Sequence, residues 1–354
     1  MFDEHLKIYW PRTAGGTDYV LSTKDLQAPG VCLRRPALCR EIIAKRHLII
    51  GASGQVGGAL IEKLGVNACF GTYSTSPVAH SIHFCMSAAA QDSTLIANLL
   101  TATRPDVTYI CAAKTWVDGC EKDTIATRMV NTHAPVHIAR MASSLGSKIV
   151  FFSTDYVFDG KAGPYNEDDI PSPINVYGES KLEAERAILD VNKDALIIRT
   201  TVVYGPEQLG KNFVYQLISK LKANESFACL TDQFSTPTYN RDLIEMVVEL
   251  VEKNYSGIFN CVGTEVMSRY EFAQQIANVL SLDTKLIRKT TTPELERQAR
   301  SGGRTLAARG LRLGLYTNKA DAVLENYEPR SVLESLKHWL TNQRGKRLDQ
   351  LPEK

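Results

Sequence analysis

The chain has 354 residues, of which 44% are hydrophobic and 23% are charged, so it can bury a substantial core in one large domain or in two closely joined ones. Its formal net charge of +2 argues against an electrostatic surface for nucleic acid or for an anionic membrane. No apolar run reaches the roughly 20 residues of a membrane-spanning helix. The eight cysteines are scattered without a zinc-type spacing, so we expect reduced thiols, no metal site and a cytoplasmic protein.

Residues 1–46 contain Pro11, Pro29 and Pro36 and show no regular hydrophobic period, so we expect an N-terminal extension. From His47 onward, short aliphatic runs alternate with amphipathic stretches, which is typical of βαβ units. The sequence predicts strands at 47–51, 68–73, 107–112, 148–154 and 195–203, and its helices include 55–65, 122–144 and 176–191. The strand candidates are apolar almost throughout, as in a parallel sheet that helices cover on both faces.

The pattern predicts an α/β protein with two parts. Residues 47–203 are expected to form a Rossmann-type, doubly wound parallel sheet that binds NAD(P). Residues 204–345 have less regular signals and are expected mainly to form a smaller C-terminal α/β lobe that binds substrate, with some elements returning to the first domain. That lobe would pack over the carboxyl ends of the strands, where open α/β folds bind their ligands. Residues 346–354 are expected to form a tail.

A glycine-rich GxxGxxG run occupies residues 51–57, between the first predicted strand and the first predicted helix. Glycines at this spacing permit a tight turn and a close approach of the backbone to a pyrophosphate, which the helix N-terminus then binds. The second strand ends near Thr72, Tyr73 and Ser74 without the acid that often binds an adenosine ribose. That absence favours NADPH over NADH, but no arginine is present there for a 2′-phosphate, so both cofactors remain open.

Tyr177 and Lys181 are four residues apart on the predicted helix at 176–191 and therefore lie on one face. An ammonium next to a phenol stabilises the phenolate, which makes the tyrosine useful as a general acid or base. A buried strand upstream ends in Ser153 and Thr154. We expect a hydroxyl there to bond a substrate carbonyl, with Thr154 as the first choice and Ser153 as the second.

These motifs together resemble the dTDP-4-dehydrorhamnose reductase family, whose members are extended short-chain dehydrogenases/reductases. The segments that carry the resemblance are residues 51–57, 111–121, 130–131, 153–160, 173–181 and 232–238. The resemblance runs from about His47 to Leu282. Residues 165–173 are also similar to the regulatory β subunit of methionine adenosyltransferase.

The resemblance implies that NADPH or NADH reduces the C4 ketone of a nucleotide-linked deoxysugar. Thr154 would then polarise the carbonyl, Tyr177 would protonate the alkoxide, and Lys181 would bind the nicotinamide end. Asp155 and Val202 would contact the substrate. The implied cofactor-binding residues are Gly51, Ser53, Gly54, Gln55, Val56, Gly57, Tyr73, Ser74, Cys111, Ala112, Ala113, Tyr177 and Lys181. The resemblance also implies a homodimer and the dTDP-rhamnose pathway.

Two segments depart from the family pattern on the substrate side. Val202 occupies the position of a tryptophan that packs on the nucleotide base, and an Arg-Pro segment is replaced by a basic run. The arginines of that run could bind a phosphate or lie in a solvated loop: Arg300, Arg304, Arg309 and Arg312.

Other functions remain as alternatives. A dehydratase needs an acid and a base beside the threonine, and Tyr156 stands where a glutamate is expected, which argues against dehydration. An epimerase needs only reversible hydride transfer. A non-catalytic, NADP-binding regulatory subunit of an S-adenosylmethionine synthetase could keep the same motifs.

Overall fold

The computed structural model describes residues 8–9, 20–21 and 45–341. The strands in chain order are β1 (Ile8–Tyr9), β2 (Val20–Leu21), β3 (His47–Ile50), β4 (Cys69–Tyr73), β5 (Ser81–His83), β6 (Val107–Ile110), β7 (Lys148–Thr154), β8 (Leu196–Thr200), β9 (Val203–Tyr204), β10 (Phe227–Leu230), β11 (Phe234–Ser235), β12 (Thr238–Tyr239), β13 (Gly257–Asn260), β14 (Met267–Ser268) and β15 (Ile287–Thr290). The extension expected for residues 1–46 lies outside the described residues, except for the antiparallel β1–β2 pair and residues 45–46. The tail expected for residues 346–354 also lies outside them.

The helices flank the sheet or form the second lobe. In chain order they are α1 (Gln55–Leu64), α2 (Met86–Gln91), α3 (Ser93–Thr103), α4 (Val117–Lys122), α5 (Thr124–Arg128), α6 (Ala134–Ser144), α7 (Val176–Val191), α8 (Phe213–Lys222), α9 (Asn240–Glu252), α10 (Arg269–Val279), α11 (Thr292–Ser301), α12 (Asn318–Asp321) and α13 (Val332–Thr341). Within residues 45–341, no helix has both the length and the apolar character that a membrane crossing requires.

Seven parallel strands form the central sheet, in the order β13-β8-β7-β6-β3-β4-β5. The five strands predicted from the sequence are confirmed as β3, β4, β6, β7 and β8, with ends that differ by at most three residues. All residues of β3, β6 and β8 are buried, and a separate hydrophobic cluster covers each face of the sheet. The predicted Rossmann-type α/β architecture is therefore confirmed.

The predicted continuous helix at 122–144 is wrong. The chain instead forms α4, α5, a π-helical turn over Met129–His133, and α6. Asp123 leaves the helical conformation (φ −138°, ψ 75°) and caps α5, where its Oδ1 accepts a hydrogen bond from Ala126 N at 3.0 Å. Pro135 in the first turn of α6 has no N–H to continue a helical ladder from the preceding turn. The capping acid therefore divides the stretch at Asp123, and the chain then stays helical from Thr124 through the π turn to Ser144.

The order in which successive strands are added to the sheet reverses at β3. From β3 the chain proceeds through β4 to β5, and then crosses back to β6, which lies on the other side of β3. In an open α/β sheet, the crevice at such a switch point is where ligands bind, at the carboxyl ends of the strands. Gly51 and Cys111, which follow β3 and β6, are therefore at the expected binding edge.

A second lobe follows β8. Helices α8, α10 and α13 form its core around Trp339 and Phe272, together with the parallel β10–β15 pair. Between these elements, α9 packs on the central sheet, and β13 joins that sheet next to β8. The chain returns to the first domain a second time at α12, where Ala320 packs against the same face of the sheet. Two short strand pairs, β9–β12 and β11–β14, lie outside the central sheet.

Candidate functional site

The glycine loop is built by backbone approaches that a side chain would prevent. Gly51 has φ +94°, and a Cβ at this position would lie 2.8 Å from Ala112 N. A Cβ at Gly57 would lie 2.3 Å from Gly51 O. Glycine at position 51 therefore lets the loop pack against the segment after β6, and glycine at position 57 lets α1 start close to the loop backbone.

The N-terminus of α1 points out of this loop. Its N-cap residue is Gly54, no side chain caps it, and its first turn carries no acidic residue. Unpaired N–H groups and the helix dipole together make such a terminus suitable for an anion. Ser53, Gln55 and Val56, which the sequence assigned to the cofactor, lie in the same loop and first turn. The local geometry fits a pyrophosphate.

The ends of β4 and β6 enclose the loop. Thr72 Oγ1 accepts a hydrogen bond from Gly51 N at 3.1 Å. The next residue, Tyr73, packs edge-on against His83 with ring centroids 5.4 Å apart. The N–H groups of Cys111 and Ala112 both donate to Ile50 O, at 3.0 and 2.9 Å.

Two further residues assigned to the cofactor continue these segments. Ser74 is exposed at the end of β4, and Ala113 is partly buried. Since β4 and β6 both pair with β3, Tyr73 and Ser74 and the segment 111–113 lie at the same edge of the sheet as the glycine loop.

Helix α7 carries the tyrosine and the lysine. Its predicted bounds, 176–191, are confirmed. Asn175 caps it, because its Oδ1 accepts a hydrogen bond from Gly178 N at 2.8 Å while its Nδ2 donates to Ala308 O at 2.9 Å. Tyr177 is 9% exposed and Lys181 is 2% exposed. The Tyr177 ring packs edge-on against Tyr156, with centroids 5.7 Å apart.

Burial determines the electrostatics of this pair. It lowers the pKa of Lys181 to about 7, and the Glu185 carboxylate opposes that shift. The Lys181 ammonium lies 3.8 Å from the centroid of the Phe151 ring, a favourable cation–π contact. Burial also raises the pKa of Tyr177 above its usual range, although a hydrogen bond with the Thr154 hydroxyl acts in the opposite direction. Tyr177 is therefore protonated at neutral pH and can act as a proton donor.

Thr154 connects the end of β7 to the tyrosine. Its Oγ1 accepts a hydrogen bond from Tyr156 N at 3.2 Å and donates to Asp155 Oδ1 at 3.2 Å. Asp155 is 1% exposed, and burial raises the pKa of its carboxyl to about 6, against the hydroxyls of Thr201 and Thr154. The Ser153 hydroxyl is buried and makes no hydrogen bond within the described residues. Of the two sequence candidates, Thr154 is the one that reaches Tyr177.

The second lobe contributes cations that face these residues. Arg269 at the start of α10 interacts electrostatically with Asp155 and Tyr156, and its guanidinium lies 5.3 Å from the centroid of the Phe213 ring. Val202, assigned to the substrate, has φ +43° and packs against the core of this lobe. A β-branched residue with positive φ is strained, and such strain is often found at functional sites.

An ion pair joins Asp118 and Arg309, which are far apart in the sequence. Arg309 Nη2 lies 2.8 Å from Asp118 Oδ1, and the same oxygen accepts a hydrogen bond from Ala307 N at 2.9 Å. The other arginines of the basic run lie on the surface: Arg300, Arg304 and Arg312. Asp118 and Arg269 were missed as site residues. Asp118 lies in the segment 111–121 that carries the family resemblance, which was a signal for it, but its partner Arg309 is 191 residues away in the sequence.

In the described parts of the chain, no group of three or more histidine, cysteine or acidic side chains is arranged to hold a metal ion. The residues present fit a dinucleotide better. The uncapped α1 terminus suits phosphates. The Lys181 ammonium is buried with an aromatic ring as its near contact, so hydroxyl acceptors from a ribose would satisfy it.

Known proteins resemble this chain over most of its length. Residues 45–309 match the family model described as the RmlD substrate binding domain. Methionine adenosyltransferase 2 subunit beta of Xenopus laevis is 31% identical over 255 residues, which are 70% of this chain and 76% of that protein. The probable low-salt glycan biosynthesis reductase Agl14 of Haloferax volcanii is 32% identical over 262 residues, 71% of this chain and 85% of that protein.

Solved structures share the fold. A dTDP-4-dehydrorhamnose reductase of Bacillus anthracis, determined in complex with NADP, has a TM-score of 0.73 and is 27% identical. That match covers 84% of this chain and 98% of the other. A dTDP-4-dehydrorhamnose reductase of Clostridium acetobutylicum has a TM-score of 0.71 and is 29% identical, over 83% of this chain and 97% of the other.

Proposed function

Because the chain belongs to the RmlD substrate binding domain family, we propose that it is a nicotinamide-dependent reductase of the 4-keto group of a nucleotide-linked deoxysugar. The observation that carries this proposal is the placement of Tyr177, Lys181 and Thr154 at the carboxyl ends of the sheet, beside a glycine loop that fits a pyrophosphate. The NADP-bound Bacillus anthracis reductase supports a nicotinamide cofactor. The choice between NADPH and NADH stays open.

When bound, the nicotinamide supplies the hydride. The glycine loop and the N-terminus of α1 would hold the pyrophosphate, and Lys181 would donate hydrogen bonds to the nicotinamide ribose. Tyr177 would donate its phenolic proton to the oxygen of the reduced carbonyl. Thr154 would orient that phenol through its hydroxyl, and the Lys181 charge would stabilise the phenolate that forms.

The second lobe would hold the nucleotide-linked part of the substrate. Arg269 lies at the cleft with no ion pair to a carboxylate among the described residues, and a guanidinium suits a phosphate. Asp118 and Arg309 would fix the loop at 304–312 over the cleft. A small aliphatic side chain at Val202 leaves a wider space than the tryptophan of the resembling reductases.

A regulatory role is the second candidate. It is favoured by the 31% identity to methionine adenosyltransferase 2 subunit beta. Such a protein would bind the cofactor without turning over a sugar, and would co-purify with an S-adenosylmethionine synthetase.

Turnover tests the proposed reductase. Purified protein is given NADPH or NADH with freshly generated nucleotide-linked 4-keto-6-deoxysugars, and oxidation of the cofactor is followed by absorbance. We expect steady turnover that falls about 100-fold or more in Tyr177→Phe, since the proton donor is lost. Tyr316→Phe, which changes an exposed tyrosine, is the matched control. Cofactor binding without turnover on any such sugar would refute the reductase and favour the regulatory role.

A further inference from the structure

A buried ion pair lies directly behind the lysine of the site. Glu185 on α7 and Arg199 on β8 are each 1% exposed. Arg199 binds both carboxylate oxygens: its Nη2 lies 2.8 Å from Glu185 Oε2, and its Nε lies 3.1 Å from Oε1. Removing two charges from water is costly, and a buried pair is by itself weak support for stability. A function for the pair is therefore worth seeking.

The position of Glu185 suggests that function. It follows Lys181 by four residues on α7, so the two side chains share the buried face of that helix. The groups that face Lys181 are Glu185 from its own helix, the Cys111 thiol from the segment after β6, and the Phe151 ring from β7. Burial raises the pKa of the Cys111 thiol, which leaves it neutral. Glu185 is thus the negative charge that acts on the ammonium.

Arg199 also forms a hydrogen bond with a residue outside α7. Its Nη1 donates a hydrogen bond to Glu167 O at 3.3 Å, and Glu167 Oε1 accepts one from Asn260 N at 2.8 Å. The guanidinium is therefore tied to the loop after β7 and, through it, to β13. An arginine held in this way fixes the position of the Glu185 carboxylate, which lies one helical turn from Lys181.

We propose that Glu185 is a positioning residue for Lys181: its carboxylate, held by Arg199, keeps the Lys181 ammonium charged where the cofactor ribose would bind. The cofactor part of this inference rests on the proposed function. The effect of Glu185 on the charge of Lys181 is a property of the chain alone, so it is measured first without cofactor.

The first experiment is an NMR titration of protein labelled at lysine Cε, in which the Lys181 signal is identified by its loss in Lys181→Met. Glu185→Gln keeps the shape and a hydrogen bond to Arg199 but removes the charge. We expect the Lys181 titration to move to lower pH by about one unit in this variant, and to stay unchanged in Glu183→Gln, an exposed glutamate on the same helix. An unchanged titration in Glu185→Gln would overturn the inference.

The second experiment measures the Kd for NADPH against pH. At pH values above both titration midpoints, Glu185→Gln should bind NADPH about 10-fold more weakly than wild type, and at pH values below both midpoints it should bind equally well. If Glu185→Gln does not fold, Glu185→Asp keeps the charge but moves it away from the ammonium, so the Lys181 titration should lie at lower pH than in wild type; an unchanged titration in that variant would count against the inference. A shifted Lys181 titration in a protein that binds neither NADPH nor NADH would refute the proposed function and leave the inference intact.

Discussion

At the scale of single residues, burial gives the site its acid–base chemistry. Lys181 and Asp155 are almost fully removed from solvent, and burial moves their pKa values in opposite directions, to about 7 and to about 6. Both groups therefore change charge near neutral pH. Strongly shifted pKa values of this kind cluster at functional sites.

Asp155 yields a prediction about stability and pH. Burial raises the pKa of the Asp155 carboxyl from 3.8 to about 6 in the folded protein. Protonation of Asp155 therefore stabilises the folded state. This contribution is complete below the pKa of the unfolded chain, and it is lost as the pH rises through about 6. Asp155→Asn carries no charge at any pH. We expect the free energy of unfolding of this variant, relative to wild type, to increase by about 1 kcal/mol between about pH 5 and about pH 8.

Urea unfolding at the two pH values measures this change. Asp190→Asn, which alters an exposed carboxylate at the end of α7, is the control and should show no such dependence. A difference between Asp155→Asn and wild type that is the same at both pH values would contradict the account.

At the scale of elements, the strand–loop–helix unit around the glycines was predictable because its requirements are local. The turn, the close backbone approach and the helix start all fall within residues 47–64. Helix α7 was predictable for the same reason: Asn175 is a capping residue and a continuous amphipathic stretch follows it. The break at Asp123 was missed because the hydrophobic period continues across it, although an acid followed by a helix start is a capping signal.

Two adjacent glycines provide a matched test of the loop. A Cβ at Gly57 would lie 2.3 Å from Gly51 O, whereas a Cβ at Gly58 would make an ordinary contact, 3.6 Å from Ala52 O. Gly57→Ala should destabilise the protein by about 1–3 kcal/mol and weaken cofactor binding at least about 10-fold. Gly58→Ala should stabilise it by about 0.5–1 kcal/mol, as alanine does in a helix.

Thermal unfolding and calorimetric titration with NADPH measure both effects. Equal affinities in the two variants would show that the loop does not hold the cofactor.

At the scale of the whole molecule, the parallel sheet and its binding edge followed from the alternation of strands and helices, but the contacts that close the site did not. Arg309 meets Asp118 across 191 residues of sequence, and Arg199 binds Glu185 from a different element. Such pairs depend on how separate elements pack against one another, and they leave no periodic pattern in the sequence. The return of β13 to the central sheet was expected only in general terms, since its four residues give a short signal.

The Asp118–Arg309 pair predicts a selective effect on the substrate. Asp118→Ala removes the anchor of Arg309 and of the Ala307 N–H, so the loop over the cleft would lose its fixed position. We expect the KM for the nucleotide sugar to rise about 10-fold, while the Kd for NADPH stays within about twofold of wild type. Steady-state kinetics and calorimetry separate the two quantities. Asp190→Ala is the control, and a loss of NADPH affinity equal to the change in KM would count against this role.

The reaction that we propose for this protein is hydride transfer from a nicotinamide to a sugar ketone. The most direct measurement uses NADPH deuterated at the transferable position of nicotinamide C4, with mass spectrometry of the sugar product. We expect one deuterium at sugar C4 with wild type and a strongly reduced yield of labelled sugar with Tyr177→Phe. A sugar that is recovered unreduced and unlabelled, from wild-type protein that binds NADPH, would contradict the proposed reaction.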